Sequence, residues 1–130
     1  MAVPRIPRPL PPEGFSVLVD RIDSSYRVLG LLPGYSRNSL SPKLILHSTH
    51  MEVKIMQTSY HEYTSLREVG YEPEGFFSSP KLVFSFTDDT EYSVTPASAA
   101  ILRDLLAFCQ EGGFPLSEAA QQAANVAQKP

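Results

Sequence analysis

The residues best suited to chemistry are three histidines, His47, His50 and His61, a single cysteine, Cys109, and the adjacent carboxylates Asp88 and Asp89. Zinc takes three or four nitrogen, sulfur or oxygen ligands held at about 2 Å around one point, and His47-Ser48-Thr49-His50 together with His61 and its neighbour Glu62 supplies those residue types. Their spacing matches no zinc motif, and histidines at strand ends are more often surface or half-buried residues than ligands, so the sequence predicts no metal site. Cys109 would need a neighbouring base to act as a nucleophile. It falls on the apolar side of a helical segment, where burial raises a thiol pKa, and so reads as core. Asp88 and Asp89 lie between two alternating stretches and read as turn residues. The chain contains no G-x-S-x-G, no G-x-x-x-x-G-K, no G-x-G-x-x-G and no H-E-x-x-H, which removes the commonest enzyme signatures. The expectation is a non-enzymatic protein with no catalytic residues, no cofactor-binding residues and no cofactor.

Recognition chemistry is the remaining possibility. A sheet that displays aromatics can stack single-stranded bases, and Tyr60, Tyr63, Tyr71, Phe76 and Phe77 are candidates for such a face. The nearest cations, Arg67 and Lys81, stand among Glu62, Glu68, Glu72 and Glu74, so these aromatics read first as core or as a protein interface. Net charge is -3, which disfavours broad binding to phosphate backbones or anionic lipid. The charge is unevenly spread. Residues 1–60 carry seven basic and four acidic side chains, and residues 61–130 carry four and ten. A local basic set, Arg5, Arg8, Arg21, Arg27, Arg37, Lys43 and Lys54, keeps single-stranded nucleic acid as the alternative partner.

These groups must be positioned by a chain of 130 residues, 42% of them hydrophobic and 19% charged, the size and composition of one globular domain. Prolines at 4, 7, 9, 11 and 12 exclude helix and central strand there, so residues 1–13 read as an extended arm. Its bare PxxP spacings lack a correctly placed flanking basic residue, so the arm reads as a tether or a contact to a neighbouring subunit. Alternating or β-branched runs predict a hairpin of 16–22 with 26–31 and a loop from Leu32 to Pro42. A second hairpin joins 43–49 to 52–58. Residues 59–80 read as irregular with strand pieces, and 81–95 as a tight hairpin. Thr95 as N-cap and Pro96 as first helical residue predict an amphipathic helix over 96–112, stopped by Gly112 and Gly113. Ser117 caps a shorter Ala-rich helix that is expected to dock weakly, since its alanines bury little area.

The predicted fold class is α+β: an antiparallel β-sheet or small open barrel of about six strands, with the amphipathic helix packed on it and the Ala-rich helix after it. The predicted organisation is an arm (1–13), one domain (14–113) and a helical tail (114–130). In architecture alone this order resembles pleckstrin-homology-like and other small sheet-plus-helix modules; no motif assigns a family. With one cysteine no internal disulfide forms, and the N-terminus lacks both an apolar signal core and a myristoylation glycine, so a cytoplasmic setting is expected. No stretch is long and apolar enough to span a membrane. The expected function is a protein–protein interaction module or small accessory subunit, partnered by another protein or by its own copies. Arg5, Pro7, Arg8, Pro9, Tyr60, Tyr63, Phe76 and Phe77 are its candidate contact residues.

Overall fold

Period-two alternation dominates the chain and builds nine strands in the computed structural model, which describes residues 6–28, 32–38, 42–55, 58–75 and 79–128. They are β1 (Phe15–Val17), β2 (Val19–Val28), β3 (Leu32–Asn38), β4 (Lys43–Leu46), β5 (His50–Lys54), β6 (Thr58–Glu62), β7 (Leu66–Glu72), β8 (Lys81–Phe86) and β9 (Glu91–Pro96), followed by helices α1 (Ala99–Glu111) and α2 (Glu118–Gln128). One sheet has the order β1-β4-β5-β6 and the other β3-β2-β9-β8-β7, and every pairing within them is antiparallel. The predicted α+β class with C-terminal helices is therefore correct, with strands divided between two open sheets.

Each sheet turns one face inward. Leu44, Leu46, Met51 and Val53 alternate with Lys43, Ile45, Glu52 and Lys54, and Leu82, Phe84 and Phe86 alternate with Lys81, Val83 and Ser85; in both sets the first group is buried. These side chains join Ile22, Val69, Val94, Leu105, Leu106 and Cys109 in one core cluster shared by both sheets and both helices.

The 81–95 hairpin forms as predicted, and the second hairpin forms with shifted bounds: β4 ends at Leu46, β5 runs His50–Lys54 after a tight turn closed by His47 N–H donating to His50 C=O (2.9 Å), and Thr58 belongs to β6. The first hairpin is corrected. Asp23-Ser24-Ser25 is no turn but the middle of β2, paired on one side to β3 and on the other to β9. Leu32 to Asn38 is strand β3 and not a loop. Its Pro33 is accommodated because β3 is an edge strand, where a missing N–H breaks no ladder. Residues 58–72 are also more regular than expected: β6, a single 3-10 turn (Tyr63–Ser65) and β7 carry the chain from one sheet to the other. Pairing of β6 with β5 and of β7 with β8, remote from any local propensity, imposes strand on either side of the Tyr63–Ser65 turn.

The helix begins later than Thr95. Pro96 closes β9, and Ser98, extended at φ -152°, caps α1 by accepting from Ile101 N–H at 3.2 Å. Ser117 caps α2 as predicted, accepting from Ala120 N–H at 3.1 Å. That helix does not dock weakly. Ala120 and Ala124 are fully buried, since their small side chains let the backbone of α2 approach its neighbours closely, and α2 packs on α1 and β7. The chain between the helices also covers the β7 edge: Val69 N–H donates to Pro115 C=O (2.7 Å) and Ser117 N–H to Val69 C=O (2.9 Å).

Candidate functional site

The three histidines do not meet at one point. His47 and His50 stack at 4.4 Å on the outer face of the β1-β4-β5-β6 sheet, where His47 Nε2 donates to Glu52 Oε1 (3.0 Å) and His50 Nδ1 shares a hydrogen bond with Thr49 Oγ1 (3.1 Å). Gly14 makes room for them. Its φ is +89°, and a Cβ there would stand 2.6 Å from the His47 ring. His61 lies opposite Met51 and so points inward, stacked on Phe86 at 4.5 Å and bonded through Nε2 to the Tyr92 hydroxyl at 2.7 Å. Burial holds the His61 pKa below its ordinary value, against a smaller opposing pull from Asp88, and burial raises that of Tyr92. Among the described residues no group of three or more His, Cys, Asp and Glu is placed to hold a metal ion. Cys109 is fully buried, and burial pushes its thiol up to about 12, as its position on the apolar stripe of α1 implied. Asp88 and Asp89 form the β8–β9 turn: Asp88 Oδ1 accepts from Thr90 N–H (3.0 Å) and Asp89 has φ 68°.

The candidate contact residues separate into three groups. Arg5, Phe76 and Phe77 lie outside the described residues. Arg8, flanked by Pro7 and Pro9, is engaged within its own chain. Its guanidinium reaches Asp104 (3.1 Å) and Glu111 (3.2 Å) on α1, donates to Ile6 C=O, and lies over the Phe108 ring. Ile6 itself is buried in the core, and its N–H donates to Asp104 Oδ2 (2.5 Å). Tyr63 is half-buried, packed on Phe114 with its hydroxyl donating to His47 C=O (2.7 Å), and burial raises its pKa. Tyr60 is 65% exposed on β6, with its ring edge-on to His50. Of the basic set, Arg21 is paired with Asp23 (3.2 Å) and Lys43 faces Lys54 across the β4–β5 ladder; Arg27 and Arg37 lie on β2 and β3, opposite Pro33 and Asp23.

An open groove of about 710 Å³, for which no motif in the sequence stands, lies between α1, α2 and the ends of β7 and β9. Leu102 and Leu106 form its floor, Tyr71 and Pro80 one wall, and Ala119, Ala123 and Val126 the other. Val126 is 69% exposed. The rim carries Asp20 and Glu74 against Arg103, none of which has an ion-pair partner among the described residues. A signal for this wall was present: Ala119, Ala123 and Val126 recur at i, i+4 and i+7, one face of α2. A wall built of alanines leaves space beside it.

Compared with known proteins, the chain matches no family model, and no curated protein matches it.

Proposed function

We propose that the protein is a non-enzymatic protein-interaction module, a small accessory subunit that receives an amphipathic segment of a partner protein in the groove between α1 and α2. The observation that supports this reading most directly is the groove itself: an apolar floor and walls, open along its length, with an exposed valine on its lip. Pockets for small molecules enclose most of their ligand, whereas an open apolar channel suits a helix laid in by its i, i+4 and i+7 side chains. Two acidic residues against one basic residue at the rim favour a segment that carries lysine or arginine beside its apolar stripe. Among the described residues the groove lining contains no histidine, cysteine or lysine. The described part of the proline-rich arm contributes indirectly, by bracing α1 through Arg8. The cytoplasmic setting belongs to the same proposal and is supported by a lone, buried cysteine.

A displayed library of helical peptides tests the reading. Wild-type protein is expected to enrich amphipathic sequences with basic flanks, and Ala123→Arg, which fills the groove and repels cations, to weaken their binding at least tenfold. Failure to enrich any sequence over the Ala123→Arg control overturns it. Oligonucleotides at low salt, run beside the peptides, examine the nucleic-acid alternative, for which affinity falls steeply with added salt.

A further inference from the structure

Two open sheets have four edges, and three of them are blunted. The β7 edge is occupied by Pro115 and Ser117, β3 carries Pro33, and β1 is three residues long. The β6 edge has none of these protections. Thr58, Tyr60 and Glu62 are exposed, the strand contains no proline or lysine, and no strand pairs with it beyond β5 among the described residues.

The direction of its free backbone groups follows from the neighbouring bonds. His47 N–H donates to His50 C=O, so His50, Glu52 and Lys54 turn their backbone groups toward β4. Tyr63 N–H donates to Thr49 C=O (3.1 Å), so Met51 and Val53 turn theirs toward β6 and bond its inward residues His61 and Ser59. Thr58, Tyr60 and Glu62 therefore aim N–H and C=O away from the sheet; the Glu62 carbonyl also accepts from Ser65 Oγ (2.8 Å) and keeps a second lone pair.

We infer that β6 is a self-association edge, at which a second copy of this chain pairs antiparallel about a two-fold axis through Tyr60, joining the two four-stranded sheets into one. Tyr60 is the midpoint of Thr58–Glu62, so a single register satisfies every outward group. Tyr60 exchanges both backbone bonds with the partner's Tyr60, and Thr58 does so with the partner's Glu62. No like charges face each other, because Glu62 meets a threonine. The two Tyr60 rings become a cross-strand aromatic pair on the outer face, beside His50, whose ring lies 5.9 Å from Tyr60. The self-complementary register favours a second copy over an unrelated strand, and it makes no use of the peptide groove.

Light scattering across a concentration series tests the inference. Wild type is expected to rise from 14.4 kDa toward twice that mass with concentration. Tyr60→Lys opposes two ammonium groups at the axis and is expected to raise the dimer dissociation constant at least tenfold while leaving circular dichroism unchanged. Tyr60→Cys supplies the confirming arm. Hydrogen-bonded antiparallel partners have Cα atoms about 5.5 Å apart, within disulfide range, so mild oxidation forms one Sγ–Sγ bond between copies and the added oxidant takes up the two electrons and two protons. Cys109 is buried and does not compete, and Thr64→Cys, exposed beyond the strand, should not cross-link. A monomer at millimolar concentration, a dimer indifferent to Tyr60→Lys, or a folded Tyr60→Cys that does not cross-link each overturns the inference.

Discussion

His61 occupies a position that disfavours the charged ring: Phe86 stacks on one face, the Tyr92 hydroxyl shares a hydrogen bond with Nε2 at 2.7 Å, and burial outweighs the pull of Asp88. Its pKa is lowered from 6.5 in the folded chain, so below that value the unfolded chain binds a proton that the folded chain does not. Stability should therefore be complete above about pH 6.5 and decline as the pH falls through that value, until the folded pKa is reached. Thermal melts from pH 7.5 to 5 are expected to show this slope in wild type and a flatter one in His61→Gln, which should itself lose about 0.5–2 kcal/mol at pH 7.5 through poorer packing and hydrogen bonding. Equal slopes in the two proteins would remove His61 as the source. The three histidines were legible as candidates, and so was the tight turn that brings His47 to His50. Which of them faces inward was not, because His61 lies on β6, in a stretch without firm alternation, and its face is set by its pairing opposite Met51.

At the scale of elements, α2 shows that small side chains can anchor a helix. Its alanines offer little area each, yet Ala120 and Ala124 are fully buried against α1 and β7. The fit depends on the absence of volume. Ala120→Leu is expected to cost about 1–3 kcal/mol by overpacking, measured as a lower urea midpoint with unchanged m-value, whereas the same change at exposed Ala119 should be nearly neutral on stability. An Ala120→Leu protein as stable as wild type would mean that α2 lies loosely. The β4–β5 and β8–β9 hairpins were readable from alternation alone. β3 and β7 were not, since proline, glycine and serine in one and an uneven apolar pattern in the other become strand only through their partners, Leu32–Asn38 along β2 and Leu66–Glu72 along β8.

The whole molecule is organised as one core that includes both sheets, both helices and Ile6. Circular dichroism and tyrosine fluorescence should therefore lose structure in one coincident transition. The described part of the arm belongs to that unit, because Arg8 neutralises Asp104, a carboxylate whose side chain is only 9% exposed. Arg8→Ala is expected to destabilise by about 1–3 kcal/mol, through loss of its ion pairs to Asp104 and Glu111 and of its packing over Phe108. An unchanged melting temperature would show the arm to be dispensable.

Composition, alternation and turn chemistry specify an α+β domain with strands before helices, the caps at Ser117 and Gly112, a buried Cys109 and the absence of the common catalytic motifs, because each rests on residues close in sequence. The division into two sheets, the fate of Arg8, the inward turn of His61, the groove beside α2 and the open edge at Tyr60 depend on contacts between distant segments: Arg8 with Glu111, His61 with Tyr92, Val69 with Leu116. Such pairings are selected by the shape and polarity of the whole core, so local propensity carries no record of them.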